Sequence, residues 1–137
     1  MKFYLFLAII FSIFMPTAYA ANWQQLSISD SERTIYVDES SLKQTSEDTK
    51  RAWFKNVFSK PSKIAGKKFD SNLTLTEFKC KAKKIRNIGY IYYLKGEPVV
   101  SNTTGVGLEG FNDVIPDSIG DFIHFYACAD LLLIDPK

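Results

Sequence analysis

The sequence predicts an α+β protein, with an antiparallel β-sheet of about six strands, one C-terminal helix packed on a face of the sheet, and one disulfide. Three observations predict this class. Short β-branched and aromatic runs alternate with polar, Gly and Pro residues. A segment that begins at Pro116 carries apolar residues at helical spacing. The chain contains two cysteines, Cys80 and Cys128.

The strands follow from the patterning along the chain. They are predicted at 23–28, 34–37, 50–58, 73–84, 88–94 and 99–102. The residues KGEP at 95–98 suit a hairpin turn, and DESSLKQ at 38–44 suits a turn or a single helical turn, because its Asp and Ser side chains accept backbone hydrogen bonds. The segment SKPSKIAGKKFDSN at 59–72 is predicted to be a long basic loop, the most mobile part of the domain.

One helix is predicted near the C-terminus. Pro116 suits a first-turn position, and Asp117 and Asp121 suit the positive end of a helix. The apolar stripe predicted to lie on the sheet comprises Ile119, Phe122, Ile123, Tyr126 and Ala127. The following LLLIDPK, 131–137, is compatible with either a short strand or a packed tail.

The first 20 residues have the pattern of a signal peptide. Lys2 precedes an apolar run, Pro16 follows it, and Ala18 and Ala20 form an A-x-A cleavage pattern. The apolar run is short for a membrane span, and no second run follows. No cysteine lies at the cut site, so no lipid anchor is expected. The sequence therefore predicts a signal peptide at 1–20 and a single exported domain at 21–137, located in the periplasm or secreted.

Export determines the state expected for the cysteines. In an oxidising compartment the pair Cys80 and Cys128 is predicted to form a disulfide. The competing interpretation pairs Cys128 with His124, one helical turn earlier, as nucleophile and base or as metal ligands. That interpretation needs a reduced thiolate, which export disfavours, and His124 is the only histidine. His124 is expected to be an ordinary surface residue on the edge of the helix.

The stretch EFKCKAKKIR at 77–86 surrounds Cys80 with basic residues. Strand alternation would turn Phe78, Cys80 and Ala82 inward and turn the intervening lysines to solvent. The candidate binding residues are Lys79, Lys81 and Lys83 on this face, together with Lys67 and Lys68, which could close on the same ligand from the 59–72 loop. The alternative is that these lysines only keep the sheet soluble and protect an edge strand.

Charge is segregated along the chain although the net charge is small. Residues 21–42 carry one base and four acids, residues 43–86 thirteen bases and four acids, and residues 87–137 two bases and seven acids, giving −3, +9 and −5. A basic surface of this kind suits an anionic protein partner or an acidic polysaccharide. Export disfavours nucleic acid as a partner.

No catalytic site is predicted. The residues GVGLEG at 105–110 match a dinucleotide-binding pattern, but no helix is predicted to begin at the third glycine, so no cofactor is expected. No nucleophile is paired with a base, and no metal-ligand cluster is present in the sequence pattern. The chain is therefore expected to have no enzymatic activity.

The order of several short motifs resembles the surface-adhesin protein E domain family, the Haemophilus adhesin E-like domains of exported Gram-negative proteins. The motifs are Trp23 opening the first strand, TIYVDESSL at 34–42, Trp53 in a strand, EFKC at 77–80, PDS at 116–118 and the final Cys128. The resemblance covers nearly the whole predicted domain. It implies an antiparallel sheet, a C-terminal helix, and a disulfide between Cys80 and Cys128.

The resemblance also implies a function. The member that gives the family its name is a surface lipoprotein that binds host matrix proteins such as vitronectin and laminin. The predicted function is that of an exported, non-enzymatic, adhesin-like protein that recognises host matrix proteins or other anionic partners through a basic surface. The alternative is a periplasmic inhibitor or envelope-stress protein that binds a partner of the same cell.

Overall fold

The computed structural model describes residues 20–29, 31–103 and 110–133, so the predicted signal peptide lies outside the described residues except for Ala20. The strands are β1 (Trp23–Ser29), β2 (Arg33–Asp38), β3 (Lys43–Ser46), β4 (Thr49–Ile64), β5 (Lys67–Lys79), β6 (Lys84–Leu94), β7 (Glu97–Asn102) and β8 (Asn112–Asp113). A short 3-10 helix spans Glu39–Ser41, and the helix α1 spans Ile119–Leu133.

The strands form one antiparallel sheet in the order β1-β2-β4-β5-β6-β7. β3 pairs with the beginning of β4, and β8 pairs with the beginning of β6. The predicted α+β class is confirmed, since six strands make the main path, the helix follows them, and a disulfide joins Cys80 to Cys128. The turn predicted at 38–44 is the 3-10 helix, which Asp38 caps by accepting a hydrogen bond from the Ser40 amide at 3.1 Å.

The core lies between α1 and one face of the sheet. Its fully or nearly buried members are Leu26, Ile35, Val37, Ala52, Phe54, Phe78, Cys80, Ala127 and Cys128. The predicted helical stripe is confirmed, because Ala127 is buried and the other four residues pack against this core. Lys50 is also buried on this face, and its ammonium pairs with the Asp130 carboxylate on α1. The opposite face of the sheet, which we call the open face, is the one away from α1.

The ends of α1 differ from the prediction. The helix begins at Ile119, and Pro116 lies in the turn before it because Asp117 has a left-handed φ of 58° that a helix cannot contain. Ser118 Oγ then accepts a hydrogen bond from the Asp121 amide at 3.1 Å, which satisfies a first-turn donor. At the other end the helix continues through 131–133, where a strand or a packed tail was considered, and residues 134–137 lie outside the described ranges.

The predicted basic loop at 59–72 is wrong. β4 and β5 extend through this segment and pair again from Ser62 to Ile64, where the two-residue turn Ala65-Gly66 joins them with φ values of 47° and 75°. Positive φ at both turn residues has the twist that a tight hairpin requires. Pro61 lies where the β4–β5 register shifts between Val57 and Ser62, so the missing proline donor breaks no ladder hydrogen bond.

The strand predicted at 73–84 ends earlier than expected. β5 stops at Lys79, and residues 80–83 form a turn in which Lys83 has a φ of 48°. Phe78 and Cys80 are buried as predicted, but Ala82 is exposed, so the inward and outward alternation does not continue past Cys80. The KGEP hairpin at 95–98 is confirmed, with its turn at Lys95-Gly96.

A hydrogen bond at the helix edge makes stability depend on pH. The Tyr126 hydroxyl donates to Glu39 Oε1 at 2.9 Å. Burial first, and then the hydrogen bond and the charge of Glu39, raise the pKa of Tyr126 above 10.0. The folded-state pKa of Tyr126 is therefore higher than the unfolded-state pKa. The stability that Tyr126 contributes is complete below the unfolded-state pKa and is lost as pH rises through the folded-state pKa.

We therefore expect the free energy of unfolding to fall less at alkaline pH in Tyr126→Phe than in the wild type, because the variant has no Tyr126 hydroxyl to ionise. Urea unfolding of the wild type and the variant at pH 8 and above pH 10 measures this. The stability difference between the two proteins should shrink as the pH rises. A difference that stays constant across the range would contradict the assignment.

Candidate functional site

The five predicted lysines lie at the two ends of β5. Lys67 and Lys68 begin the strand, and Lys79 ends it. At about 3.3 Å per residue the two ends are roughly 40 Å apart. Lys67 and Lys68 therefore do not lie beside Lys79, and only an extended ligand could contact both ends of β5.

At the end of β5, Lys79 already has an aromatic partner. Its ammonium lies 4.6 Å from the centre of the Phe111 ring, and the Arg86 guanidinium carbon lies 4.3 Å from the same centre. Arg86 also forms an ion pair with Glu77, with Nη2 and Oε2 2.6 Å apart. Cation–π contacts of this kind fix Phe111 against the open face. Part of the predicted basic face thus serves to hold the segment around β8.

Lys81 and Lys83 project from the turn between β5 and β6. Both side chains are exposed. The Lys81 amide donates to Asp48 Oδ1 at 2.6 Å, and the Lys83 carbonyl accepts from the Val114 amide at 3.0 Å. Because carboxylates lie beside these lysines, this end of the sheet carries mixed charge.

The opposite end of β5 carries a run of lysines. We call residues 60–68, the continuation of β4 and β5 beyond their neighbours, the distal hairpin. β2 pairs with β4 only as far as Phe58, and β6 pairs with β5 only as far as Ser71. The four charged residues of the distal hairpin are all exposed lysines: Lys60, Lys63, Lys67 and Lys68. The sequence has no acidic residue between Asp48 and Asp70. The sequence prediction missed Lys60 and Lys63 as candidate binding residues, and this acid-free stretch is the signal that could have identified them.

Two details describe how these lysines are held. Lys63 lies directly opposite Lys68 in the β4–β5 register, and like charges in facing positions destabilise a strand pair. Lys67 Nζ donates to the Val99 carbonyl at 3.0 Å, which attaches the distal hairpin to β7. The other three ammonium groups form no hydrogen bond or ion pair with any residue of the described ranges. They are free to meet anionic groups of a partner.

The open face carries a pocket at the base of the distal hairpin. Its volume is about 280 Å³, and its lining includes Trp23, Lys55, Ser71, Leu73 and Tyr93. The lining therefore combines two aromatic residues with a lysine and a serine. Among the described residues, none forms an ion pair or hydrogen bond with Lys55. We call this feature the Trp23–Tyr93 pocket.

The competing interpretation of Cys128 as a nucleophile is excluded by the disulfide. Cys80 and Cys128 are bonded, with their Cα atoms 5.5 Å apart, so no thiolate is present. His124 is 2% exposed, so the expectation of a surface residue is wrong. Its ring lies 6.0 Å from that of Phe78 and its Nε2 lies 3.2 Å from the Lys79 carbonyl. His124 thus fills the core beside the disulfide and joins α1 to the end of β5.

The described residues hold no group of three His, Cys, Asp or Glu side chains that could bind a metal ion. The GVGLEG segment falls outside the described part of the chain except for Gly110. Within the described ranges, no helix has the length and hydropathy of a membrane-spanning segment.

Comparison with known proteins gives one match. The family model of surface-adhesin protein E matches residues 23–129, which span the sheet, the disulfide and most of α1. No curated protein and no solved structure matches the chain significantly. The match covers most of the chain and includes every motif of the earlier resemblance. The chain therefore belongs to the surface-adhesin protein E family.

Proposed function

We propose that this protein is an exported, adhesin-like binding domain that attaches to anionic macromolecules through the distal hairpin. One observation carries the proposal: four lysines lie on a projecting two-stranded ribbon that contains no acidic residue. Acidic surfaces of host matrix proteins and acidic polysaccharides are the partners whose charge fits this surface. Family membership supports the adhesin-like part of the proposal.

The energetics favour a binding role over a solubilising one. Facing lysines such as Lys63 and Lys68 cost folding free energy that a Glu or Thr on one strand would avoid. Solubility needs only charge, and charges of alternating sign would supply it at less cost. A partner with two or more negative groups relieves the repulsion when it binds. The repulsion between the lysines therefore raises the free energy of the unbound protein only, and this difference favours formation of the complex.

The predicted signal peptide at 1–20 and the single domain at 21–137 belong to this proposal, as do a location outside the cytoplasm and the absence of enzymatic activity. A surface or secreted location is what an adhesin requires. Cell fractionation separates this function from that of a periplasmic inhibitor or envelope-stress protein, which would stay strictly in the periplasm.

The proposal is tested by removing three charges at each end of the sheet in turn. Lys60, Lys63 and Lys68 changed together to Gln should weaken binding to immobilised heparin by roughly threefold to a hundredfold, since each of the three exposed ion pairs contributes roughly 0.2–1 kcal/mol. The salt dependence of binding should also flatten. Lys67 is retained because its ammonium attaches the distal hairpin to β7.

The matched control changes Lys79, Lys81 and Lys83 to Gln, which removes the same number of charges at the other end. This control should bind heparin nearly as the wild type does. Thermal unfolding of the distal-hairpin variant should be unchanged or slightly higher, because a like-charge pair is removed. Equal losses in both variants would indicate attraction by net charge alone, and a loss confined to the control would place the binding surface at the β5–β6 turn.

A further inference from the structure

The Trp23–Tyr93 pocket lies on the open face, separate from the lysines of the distal hairpin. Trp23 begins β1, Lys55 lies in β4, Ser71 lies in β5 and Tyr93 lies in β6, so the pocket draws side chains from four strands. These strands belong to one continuous sheet with α1 on its other face. The pocket is therefore built on a rigid support rather than on loops.

Lys55 is the unusual residue of this pocket. It is half-buried, and its cross-strand neighbours are Tyr36 on β2 and Leu73 on β5, neither of which is acidic. No described residue pairs with its ammonium. A partly desolvated ammonium without a counter-charge gains free energy when a carboxylate approaches it. The pocket thus has a specific requirement for an anion.

The aromatic rings define the rest of the ligand. Trp23 and Tyr93 line the cavity, and the electron-rich face of an aromatic ring attracts partly positive C–H groups. Ser71 Oγ donates its proton to Asp70 Oδ1 at 3.0 Å, so its lone pairs remain available to accept a hydrogen bond from a ligand hydroxyl. A volume of about 280 Å³ suits one ring, because pockets for drug-sized ligands measure about 300–1,000 Å³.

We propose that the Trp23–Tyr93 pocket binds a carboxylated sugar ring, with the carboxylate on the Lys55 ammonium and the C–H face of the ring against the aromatic side chains. A neutral sugar would leave Lys55 without its partner, and a flat aromatic acid would not use the acceptor at Ser71. This inference goes beyond the proposed function, because it names a different site that recognises a single ring rather than a run of charges.

The two tryptophans provide a direct measurement. Trp53 lies on the same face over Gly89, 3.7 Å from the position a Cβ would take there, and it does not line the pocket. In the Trp53→Phe protein, fluorescence therefore reports on Trp23 alone. Glucuronate should change this emission saturably, whereas glucose at the same concentration should not. In the Trp23→Phe protein, glucuronate should leave the emission of Trp53 unchanged.

Lys55→Met, in the Trp53→Phe background, removes the charge and keeps an unbranched side chain that is one atom shorter. It should weaken glucuronate binding about tenfold or more, as expected for loss of a charge-assisted hydrogen bond, and Lys55→Arg should restore most of the affinity. Lys43→Met, at an exposed position on β3, is the matched control and should bind as the parent does. Thermal unfolding confirms that each variant is folded.

The distal-hairpin variant separates this inference from the proposed function. Lys60, Lys63 and Lys68 changed to Gln should keep glucuronate binding even where heparin binding is lost. Equal binding of glucose and glucuronate, binding of benzoate without glucuronate, or unchanged affinity in Lys55→Met would each overturn the assignment.

Discussion

Replacing Cys80 and Cys128 together with alanine is expected to lower the free energy of unfolding by about 4 kcal/mol, the chain-entropy value for a loop of this length. The bond joins residues 48 apart in sequence and links the end of β5 to α1. Without it the unfolded chain gains the freedom that the loop removes. Alanine is preferred to serine because both positions are fully buried, and a buried hydroxyl would add its own cost.

Urea unfolding of the oxidised wild type and the double alanine variant measures the change, and the melting temperature should fall by about 15 °C. Wild-type protein unfolded in the presence of a reductant is the control, since it lacks the bond but keeps both sulfur atoms. It should resemble the double variant. Melting temperatures that agree between oxidised wild type and variant would show that packing alone holds α1 on the sheet.

Phe78→Ala is expected to cost about 3–5 kcal/mol, the usual range for a buried Phe. The Phe78 side chain is fully buried, and its ring meets those of Phe54 at 5.8 Å and His124 at 6.0 Å. The disulfide sulfur atoms and α1 prevent the surrounding structure from closing on the space. The cavity therefore persists and adds to the lost transfer free energy.

The matched control is Phe125→Ala, on the solvent side of α1, where the side chain is 60% exposed. Its cost should stay within about 0.5 kcal/mol, as for most surface positions. Denaturant unfolding of both variants with the disulfide intact isolates the packing effect. Similar losses in the two variants would mean that α1 does not cover Phe78 as described.

The sequence was sufficient where periodicity and burial agree. The stripe of Ile119, Phe122 and Ile123 predicts α1 because a 3.6-residue spacing places these apolar side chains on one face of a helix, where they pack against the core. Cys80 and Phe78 are correctly turned inward for the same reason with period two. In both cases the apolar residues of the pattern are the ones that face the core.

Two segments were predicted wrongly for opposite reasons. The turn at 80–83 contains no Gly or Asn, although Lys83 has a positive φ. The sequence therefore shows an unbroken alternation of lysines where the strand has already ended. At 59–72 the opposite happened. Pro61 and Gly66 are typical of loops, yet one lies at a bulge and the other in a two-residue turn of a continuous hairpin.

The Trp23–Tyr93 pocket could not be predicted from local patterns. Its aromatic and basic members are far apart in sequence and meet only because β1, β4, β5 and β6 share one face. Lys55 has no counter-charge on the adjacent strands because the residues opposite it are Tyr36 and Leu73. The residues next to Lys55 in the sequence do not reveal this pairing.

The position of α1 at the end of the chain has a consequence for the order of folding. The consecutive strands β4, β5, β6 and β7 are neighbours in the sheet, so this half of the sheet forms through short-range hairpins that close quickly. Every strand is synthesised before α1, and until residues 119–133 arrive the apolar side of Phe54 and Phe78 stays in contact with water. A chain that is interrupted before residue 119 keeps that surface open permanently, which makes it a substrate for chaperones and proteases and not a smaller working domain.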